Sequence, residues 1–310
     1  MGDKTAISWT EKTWNPWQGC TKVSPGCAHC YMFRDKRKYG QNPEVVVRSK
    51  DPTFYAPLKW KEPALVFTCS WSDFFHADAD NWREEAWEII RKTPHLTYQI
   101  LTKRPERILE HLPSDWGAFG YPNVWLGTSV ENQRWAKVRI PLLLQVPAVI
   151  RFLSCEPLLG PLDLVAAVGD VDSESDAWDE VNMLDDEHGP EEFITEAEAE
   201  NDWINFSDYH LVTNPEYTEH QAWRHQMAQF YSLHGQLHWV IVGGESGPGF
   251  RPMDLDWARD IRRQCKELDI AFFYKQGASL RPGQDTMLDG QEWHEFPDVS
   301  HVPHLVGVPA

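Results

Sequence analysis

Short apolar runs rich in β-branched and aromatic residues alternate along this chain with segments of helical periodicity. Such alternation with short connections indicates parallel strands joined by right-handed crossovers. Six or seven strand–helix units favour an α/β fold that closes into a partial or complete barrel, although periodicity alone does not separate a barrel from an open sheet. The predicted strands are Ala6–Trp9, Ala64–Ser70, Tyr98–Thr102, Val124–Thr128, Val149–Ser154, His238–Val242 and Ile270–Tyr274.

The segments between these strands have the spacing of amphipathic helices. Within one of them, Pro141 is expected to kink or restart the helix, because proline removes a backbone donor. The predicted helices are Cys30–Tyr39, Trp82–Lys92, Pro105–His111, Gln133–Gln145 and Leu255–Leu268.

Residues 166–235 break this pattern and carry most of the net charge. They hold 18 acidic residues and one basic residue, Arg224, whereas the remainder of the chain holds 29 acidic and 28 basic residues. Aromatic residues are too frequent here for a purely disordered tail. We interpret the segment as an insertion that aids solubility, with a lid, a partner-docking surface or a nucleic-acid mimic as alternatives. A helix near Thr218–Leu233 is expected to pack on the barrel.

The insertion divides the chain into predicted parts. Residues 1–165 and 236–276 form the barrel, and residues 277–310 form a turn-rich closing segment. The first ten residues do not resemble a signal peptide, and no apolar run reaches the length of about eighteen residues typical of a membrane span. We therefore expect a cytoplasmic protein without membrane contact. Residues 1–62 are locally basic and could meet phosphates, or they could be an ordinary solvated face.

Polar residues follow every predicted strand. Because active sites of α/β barrels lie at the carboxyl ends of the strands, these residues are candidates for one shared site. They are Cys69–Asp73, Thr102–Arg104, Gly127–Asn132, Ser154–Glu156, Gly243–Gly247 and Lys275–Gln276. Among them, Lys103 and Arg104 could bind a carboxylate or phosphate, while Glu131 and Glu156 could simply neutralise such cations.

Three of the six cysteines lie in one loop after the first predicted strand. Cys20, Cys27 and Cys30 have the spacing C-x6-C-x2-C, and thiolates this close in sequence indicate a metal site. Three ligands leave a tetrahedral zinc site or an iron–sulfur cube one ligand short. The fourth position is either open to a cofactor, which we favour, or filled by His29 or a distant cysteine. A structural zinc site is the alternative.

This loop resembles that of radical S-adenosylmethionine enzymes, particularly the spore photoproduct lyase branch, although the usual spacing there is C-x3-C-x2-C. The rest of the chain resembles an often phage-encoded family with a three-cysteine motif. The motifs that carry the resemblance are NPWQGC, LTKRPER, GTSVENQ, LSCEPLLGP, VGGESGPG and FFYKQ.

The resemblance implies a barrel of radical S-adenosylmethionine type with a [4Fe–4S] cluster held by the three cysteines. S-adenosylmethionine would bind the open iron, and the substrate would be a nucleotide, single strand or nucleic-acid base, as in DNA repair. A reductant for the cluster and a protein partner at the acidic insertion are further expectations. The site residues implied for this cofactor are Ser70, Ser72, Asp73, Thr128, Ser129, Glu131, Gly243, Gly244 and Glu245.

Catalytic roles are expected for Lys103, for Glu245 and for Cys155. Cys155 would face the site and donate a hydrogen atom to a radical or act as an extra ligand; the alternative is an ordinary core cysteine. For Glu245 the alternative is a salt bridge to a cation at the mouth. Two other functions remain open: a metal-stabilised binding protein without catalysis, and a nucleotide-processing barrel in which Glu131, Glu156 and Glu245 act as acids and bases.

Overall fold

A parallel sheet of seven strands organises the computed structural model, which describes residues 5–168 and 237–300. The strands are β1 (Lys12–Trp14), β2 (Trp17–Gln18), β3 (Val47–Arg48), β4 (Ala64–Thr68), β5 (Leu96–Thr102), β6 (Val124–Ser129), β7 (Ile150–Cys155), β8 (Trp239–Gly243) and β9 (Ala271–Gln276). Strands β2 and β3 form a small antiparallel ribbon, and the other seven pair in the order β1-β4-β5-β6-β7-β8-β9.

The order of the strands in the sheet is also their order in the chain, so every crossover runs in the same direction. Right-handed crossovers in one direction place the connecting helices on one face of the sheet, as the shared cluster of α3, α4 and α6 shows for the described residues. The sheet curls into a half-barrel. This confirms the partial barrel. The helices are α1 (Tyr31–Lys38), α2 (Asp51–Phe54), α3 (Asp80–Lys92), α4 (Gln133–Leu144), α5 (Leu164–Val168) and α6 (Leu255–Glu267).

The apolar side chains of the sheet form two layers, because successive residues of a strand point to opposite faces. In β8, Val240 and Val242 belong to a large cluster that contains the buried residues of α3, α4 and α6. Trp239 and Ile241 of the same strand belong to a second cluster without helical residues. The second cluster therefore fills the concave face of the half-barrel.

The predicted first strand, Ala6–Trp9, is wrong, and the first strand is instead β1. Trp9 is buried in the concave-face cluster, where its ring lies 4.6 Å from the ring of Phe67. The segment is apolar because it packs into the half-barrel, and periodicity cannot distinguish such packing from strand pairing.

The remaining predicted elements are present with shifted ends, apart from two differences. Residues Pro105–Arg107 and Leu109–His111 form two short 3₁₀ turns rather than one α-helix. Helix α4 continues through Pro141. Buried side chains of α4, including Ile140 and Leu143, pack on the sheet, and this packing outweighs the lost hydrogen bond.

Most of the predicted acidic insertion, including the helix near Thr218–Leu233, lies outside the described residues. Residues 277–300 contain isolated bridges but neither a helix nor a named strand. Among the helices of the two described ranges, none has the length and apolar character needed to cross a membrane.

Gly127 provides a test of packing on the concave face. It is the register partner of Phe152, and a Cβ atom on Gly127 would lie 2.6 Å from that ring. We expect Gly127→Ala to lower the free energy of unfolding by about 1–3 kcal/mol through overpacking, measured by urea denaturation. The double variant with Phe152→Leu should recover part of this loss. Unchanged stability of Gly127→Ala would contradict the packing described.

Candidate functional site

The loop that follows β1 lies over the carboxyl edge of the sheet and is tied to the loop after β4. Asn15 Nδ2 donates a hydrogen bond to Ser70 Oγ at 3.0 Å, and the Trp71 N–H donates to Asn15 Oδ1 at 2.8 Å. Further along, the Gly19 N–H donates to the Trp71 carbonyl at 3.0 Å, and Ser72 Oγ donates to the Gly19 carbonyl at 2.5 Å. Ser70 and Ser72 therefore position the cysteine loop.

A buried ion pair joins the ends of β4 and β5. Arg104 Nη1 lies 3.1 Å from Asp73 Oδ2, which also accepts from the Lys103 N–H at 2.9 Å, and Thr102 Oγ1 donates to Asp73 Oδ1 at 2.6 Å. Burial by itself would raise the pKa of Asp73, but the charge of Arg104 and these hydrogen bonds outweigh burial and lower that pKa. Asp73 is therefore an ionised anchor.

The same guanidinium reaches the cysteine loop. Arg104 Nη2 donates to Thr21 Oγ1 at 2.7 Å, and Arg104 Nη1 lies 3.7 Å from Cys20 Sγ. Burial raises the pKa of the Cys20 thiol to about 12, despite the opposing effect of the Arg104 charge. Arg104 thus stands where it would stabilise a Cys20 thiolate.

Glu131, at the end of β6, joins the other half of the loop to the sheet. Its side chain is fully buried; Oε2 lies 3.1 Å from Arg139 Nη1, and Oε1 accepts from Ser24 Oγ at 2.6 Å. Lys103 Nζ is 3.8 Å from Oε1. A Cβ atom on Gly26 would lie 2.3 Å from Oε1, so this loop position requires glycine. Glu131 holds the loop by direct contact.

Cys30 immediately precedes α1, so it lies beside the N–H groups of the first helical turn, which have no partner within the helix. Burial raises the pKa of the Cys30 thiol, and the N–H groups of Met32 and Phe33 together with the charge of Lys103 oppose the rise. Cys27 is buried, and Cys20 and Cys30 are partly exposed. Cationic or N–H groups therefore lie beside the two accessible thiols.

The three cysteines are brought to one loop at the carboxyl edge, but their sulfur atoms do not form a ready metal site. All six cysteines of the chain are unpaired. Within residues 5–168 and 237–300, no group of three or more His, Cys, Asp or Glu side chains is arranged to hold a metal ion. Metal binding by this loop would require the three thiols to converge further.

Glu245, beyond β8, is tied to the cysteine loop. Its Oε2 lies 2.8 Å from His29 Nδ1 and accepts from Arg251 Nε at 3.0 Å, while Oε1 accepts from Arg251 Nη2 at 2.5 Å. Burial alone would raise the pKa of Glu245, but the hydrogen bonds from Arg251 and His29 lower it. Glu245 therefore forms the salt bridge that was the alternative to a catalytic role.

Glu156, after β7, pairs with Lys275 of β9, whose Nζ donates at 2.6 Å. Gly243 packs beside this carboxylate, since a Cβ atom there would lie 3.2 Å from it. A Cβ atom on Gly244 would lie 2.2 Å from the Ala278 nitrogen, so close approach of two backbones explains Gly244. Contacts within the chain therefore account for both glycines, and their predicted role in cofactor binding stays a prediction.

Three other predicted site residues lie inside the protein. Thr128 Oγ1 donates to the Thr102 carbonyl at 3.0 Å, and the Ser129 carbonyl accepts from Arg139 Nη1 at 2.8 Å. Cys155 is fully buried in the cluster between sheet and helices. It lies on the opposite face of β7 from Phe152. The expected access of Cys155 to the site is therefore wrong.

Sequence reasoning missed three residues of this site. Ser24 and Thr21 lie among the residues that separate Cys20 from Cys27, and each anchors the loop to a buried charge. Arg251 lies six residues beyond Glu245 and is its ion-pair partner, which the sequence pattern does not indicate. Only the unusual length of the C-x6-C spacing hinted that the intervening residues have contacts of their own.

Taken together, these contacts define a half-barrel protein with a cysteine loop at its carboxyl edge, surrounded by paired acids and bases. The sequence matches the family model described as protein of unknown function (DUF5131) over residues 4–297, and the chain belongs to this family. No curated protein and no solved structure matches the chain.

Glu131 allows a test of the loop anchor. We expect Glu131→Ala to lower the free energy of unfolding by about 3–5 kcal/mol, because Arg139 would be left buried without its partner. Urea denaturation measures the change. Glu84→Ala, which breaks an exposed ion pair with Arg91, is the control and should cost less than about 1 kcal/mol. Equal effects of the two substitutions would rule out the anchoring role.

The lowered pKa of Asp73 should make the free energy of unfolding depend on pH. Because folding lowers its pKa, the carboxylate adds stability above the unfolded value of about 3.9, and this part is lost as pH falls through the folded value. We expect the stability difference between the natural protein and Asp73→Asn to be largest near neutral pH and to shrink in acid. Urea titrations at several pH values measure it. A stability difference for Asp73→Asn that stays constant with pH would refute the idea.

Proposed function

We propose that this protein is an iron–sulfur enzyme of radical S-adenosylmethionine type, acting on a nucleotide or a nucleic-acid base. Cys20, Cys27 and Cys30 would hold a [4Fe–4S] cluster with one iron left open to the cofactor. The observation that carries this proposal is the cysteine loop itself, fastened over the carboxyl edge of a parallel half-barrel beside cationic side chains.

The donor set suits the cluster chemically. Iron–sulfur clusters are held by thiolates, and a thiolate is favoured by nearby positive charge and by N–H groups at a helix start. Arg104 contacts Cys20 Sγ at 3.7 Å, and the Lys103 charge acts on Cys30. Burial favours the neutral thiols in the metal-free protein. Loading of iron would therefore release protons and draw the three sulfur atoms together.

When bound, the cluster would supply the electron that cleaves S-adenosylmethionine into methionine and a radical that abstracts hydrogen from the substrate. The chain would supply the fixed frame. Asp73 and Glu131 hold the two halves of the loop through Arg104 and Ser24. Because these contacts are internal, Asp73, Glu131, Ser70 and Ser72 would position the loop, and their role as cofactor ligands has less support.

Two lysines are the best placed groups for an anionic part of the cofactor or substrate. The side chains of Lys103 and Lys275 are 21% and 19% exposed. Lys103 Nζ lies 3.8 Å from Glu131 and Lys275 Nζ lies 2.6 Å from Glu156, so an anion would compete with these carboxylates for the two ammonium groups. The nucleotide class of substrate rests on the family resemblance, which is an argument by analogy. A reductant, a protein partner at the acidic insertion and a reducing compartment such as the cytoplasm belong to the same proposal.

The acid–base alternative has weaker support, because the three carboxylates it needs are already engaged. Glu131 is paired with Arg139, Glu156 with Lys275 and Glu245 with Arg251. A general base needs a free, accessible carboxylate in reach of the substrate. Substrate binding would first have to break one of these ion pairs.

Cluster loading tests the proposal. After anaerobic reconstitution with iron and sulfide, we expect about four irons per chain and the visible absorbance of a [4Fe–4S] cluster. Replacing Cys20, Cys27 or Cys30 by serine should lower the iron content and remove the absorbance, because each supplies a ligand. Release of 5′-deoxyadenosine from S-adenosylmethionine under reducing conditions is the activity measurement.

Cys265→Ser is the matched control, since Cys265 is buried in α6, away from the loop. It should load iron as the natural protein does. Binding of zinc in place of iron, or equal iron content in the loop variants, would remove the basis of the proposal and leave the metal-stabilised binding protein or a metal-free protein.

A further inference from the structure

A pocket with a volume of about 600 Å³ lies beside α1. It is bounded by α1, by the ribbon of β2 and β3, and by the start of α2, and none of the ion pairs at the mouth lines it. Pockets of this size accommodate small organic ligands. The polar residues that line it include Gln18, Lys36, Gln41, Asn42, Arg48 and Lys50.

Lys36 is the unusual member of this lining. The residue is only 3% exposed, and no hydrogen bond or ion pair of its ammonium group is found in the described part of the chain. Burial lowers the pKa of the Lys36 amine. The ammonium nitrogen is not among the buried side-chain atoms that lack a hydrogen-bond partner, so the stem of Lys36 is buried while its charged end keeps contact with solvent. A ligand that supplies negative charge could bind the ammonium group there.

The rest of the lining has the charge that such a ligand needs. Arg48 is engaged by Asp51 at 2.8 Å and by Glu85 at 3.2 Å. Lys50 is exposed and, within residues 5–168 and 237–300, has no carboxylate partner. No aspartate or glutamate is among the described residues that line the pocket. Two lysines without an acidic partner and three side-chain amides therefore face one cavity.

The position of Lys36 in the last turn of α1 does not by itself explain why its side chain is buried. Cations are common in the last turn of a helix, where they interact with its negative end, and Lys36, Arg37 and Lys38 all lie in the last turn of α1. Arg37 and Lys38 are exposed, as that explanation requires, whereas Lys36 is buried against the pocket.

We propose that this pocket binds the phosphate group of a small molecule, with Lys36 as the buried contact and Lys50 as the second cation. A phosphate dianion matches two lysines, and the amide groups of Gln41 and Asn42 are suitable hydrogen-bond donors for its oxygens. The volume leaves space for an organic part beside the phosphate. The site is independent of the proposed cluster, because it shares no residue with the cysteine loop from Cys20 to Cys30.

Thermal unfolding and calorimetry with the full chain test this site. The probes are inorganic phosphate and pyrophosphate at millimolar concentration, with sodium chloride of equal ionic strength as reference. We expect both probes to raise the melting temperature of the natural protein, because a ligand bound only to the folded state stabilises it. Calorimetry should give a dissociation constant for each probe.

Lys36→Met is the decisive variant. Methionine keeps the length of the side chain and its buried stem but removes the charge, so without phosphate the variant should melt close to the temperature of the natural protein. Its affinity for phosphate should fall at least tenfold. Lys38→Met, an exposed change of equal charge on the same helix, should keep the natural affinity.

Three results would overturn the site: no phosphate-specific rise in melting temperature, an equal loss of affinity in both methionine variants, or unchanged affinity in Lys36→Met. A carboxylate such as citrate that binds through Lys36 while phosphate does not would reject the phosphate assignment. If Lys36→Met does not fold, Lys36→Gln replaces it in the same comparison.

Discussion

The buried pair of Glu131 and Arg139 is the interaction on which the position of the cysteine loop depends. Both side chains are almost completely removed from solvent, so each would be very costly without the other. Ser24 of the loop donates a hydrogen bond to the same carboxylate. Gly26 lets the loop backbone approach this carboxylate closely, because glycine has no side chain. The cysteine loop is thereby attached to a buried ion pair at the end of β6.

The direction of the crossovers explains why so many charges meet at one edge. Strands of a singly wound parallel sheet all end on the same side, and each adds the residues that follow it to that side. Asp73 follows β4, Arg104 follows β5, Glu131 follows β6 and Glu156 follows β7. These residues are far apart in sequence, yet the topology brings them around one loop without any long connection.

Much of this arrangement follows from the sequence, and the exceptions have identifiable causes. Buried strands and the shared polar edge were predictable because strand periodicity and parallel topology are local properties. The direction of Cys155 was not, because the predicted strand ends at Ser154 whereas β7 includes Cys155. As part of the strand, Cys155 follows its alternation and points to the cluster between sheet and helices. The predicted strand at Trp9 is wrong, and α4 does not restart at Pro141. Tertiary packing, which periodicity does not register, determines both.

Pairing partners were the least predictable part of the site. Glu245 was recognised as a polar strand end, but its contacts with His29 and Arg251 depend on how two loops meet in space. The same holds for Gly244, whose backbone approaches Ala278. Glycine at a strand end indicates a close approach, and only the fold shows whether a ligand or another part of the chain approaches.

The balance of charge at the mouth bears on what the loop can hold. Asp73, Glu156 and Glu245 are each matched by a cation, and Glu131 is shared between Arg139 and Lys103. Lys103 is thus a cation whose nearest carboxylate is already paired, and its charge acts on Cys30. An oxidised [4Fe–4S] core bound by three thiolates has a small net negative charge. Lys22 lies within the loop, with its ammonium group over the Phe33 ring. Lys103 and Lys22 are therefore two cations that would offset the negative charge of the proposed cluster, whereas Arg104 is already engaged by Asp73.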